Sequence, residues 1–247
     1  MTDTRAATTM SISPCGDAAV RVAVDGDDTD RVWTAVHRLA GWLNHGGIHP
    51  TVTAVPTYDA VLVEFDPYYS TGEEIASHIR SWDTTAGEGG AAGGGVIDVP
   101  VLFGGEAGPD LEWVADVVGH PVPKVIDLVC AGEPLIRCLG GPAASAMTDG
   151  PDFGVPIPRL ATPRLRVPPG AVSVAGRQTV IGPVAAPSGW RQIGRTPLDI
   201  LRTDTDTDTD TDAVVPYRPG DRVRFVAIDE TAYAELLGTP MRYRHDD

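Results

Sequence analysis

A glycine-rich segment near the middle of the chain limits how this sequence can fold. Residues 84–95 run Thr-Thr-Ala-Gly-Glu-Gly-Gly-Ala-Ala-Gly-Gly-Gly, so the stretch offers few side chains that could be buried. It also lacks the GxxxxGK[ST] order of a phosphate-binding loop, which argues against that function. We therefore expect two domains, 1–83 and 96–247, joined by a flexible linker at 84–95.

The first domain is predicted to mix helices and strands. Its expected elements are a strand at 18–24, a helix at 29–43, strands at 51–55 and 58–65, and a second helix that Thr71 and Glu74 open as a capping box. This β-α-β-β-α order favours a small α+β sandwich.

The second domain is predicted to be mainly β. A strand at 96–103 precedes helices that begin at Pro109-Asp110 and at Val122. The remainder is rich in Pro and Gly, with short apolar runs at 165–167, 171–175, 179–181, 192–193 and 222–228. Short strands between regular turn signals are typical of a β-barrel or β-sandwich.

Charge excludes some classes of partner. The formal net charge is −15, with 25 Asp and 9 Glu against 18 Arg and a single lysine, Lys124. Phosphate backbones and anionic lipids would be repelled, so we expect neither nucleic acid nor a membrane as a partner. The Asp-rich, nearly lysine-free composition resembles that of a halophilic archaeal proteome, whose proteins work at high salt.

Targeting and cysteine patterns favour a cytoplasmic protein. No apolar run approaches the roughly 20 residues needed to cross a bilayer, and residues 1–10 are too polar for a signal peptide. Cys15, Cys130 and Cys138 are odd in number and lack CxxC spacing, which argues against a disulfide framework and a structural zinc site. We expect Cys130 and Cys138 to be buried structural residues.

Two further patterns are weak candidates for metal sites. His45 and His49 have the i, i+4 spacing of a helical metal pair, but Gly46, Gly47 and Pro50 would break the helix. The run 203–212 consists of five Thr-Asp pairs without the glycine turn of a calcium loop. We expect this run to be a solvated loop and predict no metal site.

The densest group of distinctive residues lies at 158–198. It holds Arg159, Arg164 and Arg195, the amide of Gln178, and Trp190 between Gly189 and Arg191. Guanidinium groups bind carboxylates and phosphates with two parallel hydrogen bonds and could stabilise a developing oxyanion. The same residues could instead only tie barrel loops together, and spacing alone leaves both interpretations open.

Several motifs in this region resemble the family of 5-oxoprolinase B subunits, also described as allophanate hydrolase subunit 1 or as the sporulation-kinase inhibitor KipI. They are Pro-Arg at 163–164, Val-Pro-Pro-Gly at 167–170, Val-Ala-Gly-Arg-Gln-Thr at 174–179 and Ser-Gly-Trp-Arg-Gln-Ile-Gly-Arg-Thr-Pro at 188–197. Further matches span most of the chain, including Gly108-Pro109-Asp110-Leu111 and Pro219-Gly220-Asp221.

The resemblance implies a carboxyltransferase-type α+β protein: a small N-terminal α/β sandwich domain, then a mainly β, cyclophilin-like barrel. It implies one component of a hydrolase, inactive alone, that opens 5-oxoproline to glutamate with two other components, a homologous C subunit and the A subunit. ATP with magnesium would act in the assembled complex by phosphorylating the stable amide. By the same resemblance Arg164, Gln178 and Arg195 are catalytic candidates, and Trp190 would bind substrate. Arg159, from the same arginine-rich segment, is a further candidate for substrate binding.

Two other functions stay open within this resemblance. A KipI-like member would be a regulatory protein that binds and inhibits a histidine kinase, and an allophanate hydrolase component would act in urea degradation.

The family's aromatic stretch ahead of Pro-Arg is missing here, since residues 140–147 run Gly-Gly-Pro-Ala-Ala-Ser-Ala-Met.

Overall fold

The computed structural model describes residues 8–48, 52–82, 94–201 and 214–244. The chain divides into two compact units, 1–92 and 93–247, and each is described by itself. Most of the glycine-rich segment, the Thr-Asp run and His49 lie outside the described residues.

The first unit is a four-stranded antiparallel sheet with helices. Its elements are β1 (Thr9–Pro14), β2 (Ala19–Asp25), α1 (Thr29–Trp42), a π-helical turn (Leu43–Gly47), β3 (Thr53–Pro56), β4 (Ala60–Glu64) and α2 (Gly72–Arg80), and the strand order is β1-β2-β4-β3.

Side-chain periodicity explains the predicted elements of this unit. Val20, Val22 and Val24 alternate with exposed or half-buried residues on β2 and are buried against the stripe of α1 that includes Val36 and Leu39. Helix α2 begins with the predicted capping box, in which Thr71 and Glu74 satisfy each other's backbone N–H groups. The α+β prediction is confirmed.

Two features of this unit were not predicted. Strand β1 has mostly exposed side chains and is defined by its antiparallel pairing with β2, a signal that local periodicity does not carry. The π-helical turn is tied to β3 by Asn44, whose Nδ2 donates to Ala54 O at 2.9 Å while its Oδ1 accepts from Ala54 N at 2.7 Å.

The second unit is built on a curled seven-stranded sheet. Its elements are β5 (Val96–Phe103), α3 (Leu111–Val118), α4 (Val122–Cys130), β6 (Ile136–Gly140), β7 (Ser145–Asp149), β8 (Arg164–Val167), β9 (Ala171–Ala175), β10 (Gln178–Ile181), β11 (Ala186–Ser188), β12 (Arg191–Arg195), β13 (Arg222–Ile228) and α5 (Glu230–Leu236). The order in the large sheet is β13-β5-β12-β9-β10-β7-β6, and β8 pairs separately with β11.

The two edges of this sheet meet and close it into a barrel. At the first residue of edge strand β6, Ile136 N donates to Asp221 O at 2.8 Å, and Gly220 N donates to Ile136 O at 2.9 Å. One step further, Val223 N at the other edge, β13, donates to Pro134 O at 3.0 Å. Closure leaves fewer unpaired backbone groups at the edges, so the mainly β barrel prediction is confirmed.

The buried carboxylate of Asp221 holds this closing seam. Its Oδ1 accepts from Gly95 N at 3.1 Å, and its Oδ2 accepts from Arg218 N at 2.8 Å and from the Tyr243 hydroxyl at 2.7 Å. The side chain is fully buried. One aspartate thus joins the start of β5, the turn before β13 and the segment after α5.

Four elements of the second unit were missed from the sequence: β6, β7, β11 and α5. The turn between β6 and β7 follows Gly140-Gly141-Pro142 and places Ala143 and Ala144 at φ values of 53° and 57°, where glycine or asparagine is expected. Among the described residues, no helix is long and apolar enough to span a bilayer.

Candidate functional site

Two of the conspicuous arginines meet at a carboxylate that lies far away in sequence. Arg164, at the start of β8, donates from its two terminal nitrogens to Asp110 Oδ2 and Oδ1, at 2.6 and 2.9 Å. Arg191, at the start of β12, places its Nη1 3.6 Å from Asp110 Oδ1. Asp110 precedes α3, so three separate segments supply the contact.

Asp110 is turned away from the helix that it precedes. Its side chain makes no capping hydrogen bond to α3 and instead accepts from Gln192 N at 2.8 Å. Burial alone would raise the pKa of this carboxyl, but the hydrogen bonds from Arg164 and Gln192 and the charges of Arg164 and Arg191 outweigh burial and hold the pKa below its usual range. Asp110 is therefore a buried anion that fixes two guanidinium groups.

Aromatic rings flank the arginines. The guanidinium carbon of Arg191 lies 3.5 Å from the centroid of the Trp113 ring, and that of Arg159 lies 5.5 Å from the centroid of the Trp190 ring. The segment around Arg159 follows β12 closely, since Arg191 Nε donates to Pro158 O at 3.3 Å. Stacking on an aromatic face restricts a guanidinium without neutralising it.

The resulting group carries an excess of positive charge. We call it the arginine cluster, and it consists of Arg159, Arg164, Arg191, Asp110, Trp113 and Trp190. Among the described residues, Asp110 is the one acidic side chain within 4.0 Å of these guanidinium groups, and it pairs with Arg164 and Arg191 but not with Arg159. The group therefore holds three positive charges and one negative charge. In a protein of net charge −15, such a group favours a small anion such as a carboxylate or a phosphoryl group.

Arg195 and Gln178 lie away from this cluster. Arg195 is at the opposite end of β12 from Arg191, about 13 Å away at ~3.3 Å per residue. Its Nε donates to Pro169 O at 2.9 Å, beside a separate cavity of about 260 Å³. Gln178 begins β10, which β9 separates from β12. The structure thus brings Arg159, Arg164 and Trp190 into one region and leaves Gln178 and Arg195 elsewhere.

The sequence did not point to three members of the cluster: Asp110, Trp113 and Arg191. Asp110 was interpreted as part of a helix start, which is the usual role of Asp in that position. Only the motif around it, Gly108-Pro109-Asp110-Leu111, could have marked it for another role, because nothing in local spacing shows that residue 110 meets residue 164.

Cys130 and Cys138 are unreactive by their surroundings, and the described histidines form no metal site. Burial raises the pKa of Cys130 and raises that of Cys138 to about 11, so both thiols stay protonated near neutral pH. His45 is exposed, and its Nδ1 lies 2.7 Å from Gly41 O. Within the described residues, no group of three or more His, Cys, Asp or Glu side chains could hold a metal ion.

Known proteins resemble this chain over most of its length. The chain is 28% identical over 232 residues to a Bacillus subtilis protein named as the B subunit of 5-oxoprolinase, a match that covers 90% of this chain and 94% of that one. It is 31% identical over 198 residues to the Escherichia coli O157:H7 protein of the same name, a match that covers 79% of this chain and 84% of that one.

Structural and family comparisons agree with these matches. The crystal structure of Kluyveromyces lactis urea carboxylase shares the fold with a TM-score of 0.72 over 94% of this chain, at 15% identity, and the chain spans 23% of that much longer protein. Residues 10–209 match the family model for the carboxyltransferase domain, subdomain C and D. Because this family model matches most of the chain, the chain belongs to the carboxyltransferase family, alongside the 5-oxoprolinase B subunits.

Proposed function

We propose that this chain is the B subunit of an ATP-dependent 5-oxoprolinase, which opens 5-oxoproline to glutamate together with the A and C subunits. The observation that carries the proposal is the arginine cluster, a positively charged group in a strongly acidic protein. The names of the two curated relatives point in the same direction. Because a B subunit is by its name one part of an assembly, we propose no turnover by this chain alone.

The cluster suits the anionic part of this substrate. 5-Oxoproline carries one carboxylate, and a guanidinium binds a carboxylate through two parallel hydrogen bonds. Arg159 is exposed and is stacked on Trp190, so its guanidinium is restricted while its donors stay accessible. Asp110 holds Arg164 and Arg191 in place beside it, which lowers the entropy lost when an anion binds.

ATP and magnesium fit this group of residues unequally. Guanidinium groups bind phosphoryl oxygens well, whereas an excess of positive charge repels a divalent cation. We therefore propose that magnesium and the nucleotide are held by a partner protein of the complex. Phosphorylation of the amide oxygen by ATP would supply a leaving group, and the arginines of this chain would orient the substrate and stabilise its negative charge.

The test is reconstitution of the purified chain with the A and C subunits and measurement of glutamate released from 5-oxoproline with ATP. Arg159→Ala is the informative variant because Arg159 lies outside the Asp110 ion pairs, so folding should survive. Loss of one charge-assisted hydrogen bond is worth about 1.5 kcal/mol, which predicts a KM for 5-oxoproline about tenfold higher. Arg166→Ala, an exposed arginine on β8, is the matched control and should leave KM unchanged.

Equal turnover without this chain would contradict the proposal. The same assay tests the catalytic roles that the resemblance gives to Arg164, Gln178 and Arg195, which must act from separate places if all three take part. Arg195→Ala and Gln178→Ala with full activity would confine the site to the arginine cluster.

Partner capture separates the proposal from its alternatives. Recovery of a C-subunit homologue with the tagged chain from native cytoplasm, where we propose it works, would support the enzyme. Recovery of a histidine kinase would favour the regulatory function instead. Loss of growth on urea rather than on 5-oxoproline as nitrogen source, after deletion of the gene, would favour a component of allophanate hydrolase.

A further inference from the structure

A second cavity lies beside α4, and none of its lining residues belongs to the arginine cluster. Its volume is about 400 Å³, within the range of small-molecule sites, and its walls are mostly apolar. Helix α4 contributes Leu128 and Val129, and β13 contributes Phe225. The mouth lies between two loops, residues 131–134 and 149–152.

One polar group on the wall of this cavity lacks a partner. The side chain of Thr179 is fully buried, and among the described residues its Oγ1 is one of two buried side-chain oxygen or nitrogen atoms without a hydrogen bond. On β10, Thr179 and Ile181 are buried and Gln178 and Val180 are half-buried, so Thr179 faces the barrel interior. Buried hydroxyl groups normally have a partner, because leaving one unpaired is costly.

A second buried threonine, Thr148, has a hydrogen-bond partner for its hydroxyl, whereas Thr179 has none. Thr148 lies directly opposite Thr179 in the β7–β10 register and is equally buried. Its Oγ1 donates to Asp149 O at 2.9 Å, so the chain satisfies that hydroxyl internally. Of these two hydroxyls, the one on the cavity-lining residue Thr179 has no partner among the described residues.

The charges around the mouth limit what can enter. Glu133, Asp149 and Asp152 line the cavity, and within the described residues it has no basic lining residue. Arg137 is bound to the Asp149 carboxylate at 2.7 to 3.0 Å, and Arg222 donates to the backbone oxygen of Glu133. Carboxylates at the entrance repel an anion such as 5-oxoproline, and the apolar walls offer a charged group no compensation for lost water.

We propose that this cavity binds a small, uncharged and largely apolar molecule through one hydroxyl or carbonyl group that pairs with Thr179 Oγ1. The site is separate from the anion-binding function proposed for the arginine cluster. A ligand of this class fills the apolar space and also satisfies the unpartnered hydroxyl.

The test uses three probes that share one ring and differ in one group: p-cresol, toluene and the anion 4-methylbenzoate. Binding to the full chain in high salt is followed by titration in two-dimensional amide NMR spectra. We expect saturable binding of p-cresol, with shifts at residues 131–134 and 149–152. Toluene should bind at least about fivefold more weakly and 4-methylbenzoate more weakly still.

Thr179→Val removes the hydroxyl and keeps the shape of the side chain. The substitution should weaken the binding of p-cresol until its affinity equals that of toluene. The affinity of toluene itself should stay unchanged or increase. The matched control is Thr148→Val, which removes a hydroxyl that the chain already satisfies and should leave the ratio of the two affinities within about twofold of the original.

Ala131→Trp provides a second variant that does not depend on the barrel interior. Ala131 is exposed at the mouth, so a large side chain there should block both p-cresol and toluene without affecting folding. Absence of saturable p-cresol binding to the original chain would overturn the proposal. So would an unchanged preference for p-cresol over toluene in Thr179→Val, or unchanged binding in Ala131→Trp.

Discussion

Asp110 shows how one residue can organise a site without contacting a ligand. It holds Arg164 by two hydrogen bonds and Arg191 by a longer ion pair while accepting from Gln192 N. Because it is buried and charged, its contribution depends on both arginines being present. Its role is positioning, and the anion would contact the arginines.

Asp110→Asn should destabilise the second unit by about 2 kcal/mol, because the variant keeps the shape but leaves two arginines without their buried anion. Urea unfolding in high salt measures this loss. Asp98→Asn is the control, since Asp98 pairs with Arg224 at the surface, where a salt bridge contributes about 1 kcal/mol or less. Equal losses in the two variants would contradict the role given to Asp110.

The lowered pKa of Asp110 also predicts a pH dependence. The unfolded carboxyl titrates near pH ~3.9, so the stabilisation is fully present above that pH and is lost as pH falls through the lower native pKa. The original chain should therefore lose unfolding free energy more steeply than Asp110→Asn as the pH falls below about 4. Parallel curves would show that Asp110 does not titrate as the structure implies.

The three cysteines should react in a set order. Cys15 is exposed, Cys130 half-buried, and burial raises the pKa of Cys138 to about 11. A thiol reagent at pH 8 should label Cys15 first and Cys138 only after unfolding, because the thiolate is the reacting form. Mass spectrometry of timed samples checks the order, and early labelling of Cys138 would contradict it.

At the scale of elements, periodicity predicted those strands and helices that have one buried face. The start of the helix at Val122 and the strands 171–175 and 222–228 were predicted where the structure has them. Strand β1 and strands β6 and β7 were missed, because their side chains lack a clear alternation of buried and exposed positions and the strands are defined by backbone pairing with their neighbours.

The closing seam of the barrel gives a prediction at this scale. Asp221→Asn replaces an acceptor of three hydrogen bonds and should cost about 2 kcal/mol of unfolding free energy. Asp229→Asn is the control: Asp229 caps α5 at the surface, where Asn caps about equally well. Thermal and urea unfolding measure both variants, and no difference between them would contradict the seam's importance.

At the scale of the whole molecule, the chain is strongly acidic while the arginine cluster is locally positive. The net charge is −15, whereas the cluster holds three arginines, two of them paired with its one carboxylate, Asp110. Acidic surroundings repel anions at long range in dilute salt, and screening shortens that range to about 3 Å near 1 M salt. High salt should therefore favour both folding and access of an anion to the cluster.

Salt dependence of stability tests this view. Raising KCl from 0.1 to 2 M screens repulsion among the excess carboxylates and should raise the melting temperature by about 10 °C, equivalent to roughly 3 kcal/mol for a chain of this size. Calorimetry measures the shift. A neutral osmolyte at matched osmolality is the control, and an equal shift with that osmolyte would show that charge screening is not the cause.

The predicted site residues were only partly brought together. Arg159, Arg164 and Trp190 share a region, as their common segment suggested, whereas Arg195 lies at the far end of β12 although it is only four residues from Arg191. In an extended strand, residues close in sequence are carried far apart. Motif density therefore identified the right segment but could not show which members of it meet.

The α+β class, the mainly β barrel and the family could be predicted from the sequence, because burial patterns and ordered motifs are local properties of the chain. Only the folded chain shows the partnership of Asp110 with Arg164 and Arg191, the seam held by Asp221 and the unpartnered hydroxyl of Thr179. These depend on strand register and barrel closure, which bring together residues that are tens of positions apart, and no local pattern records that distance.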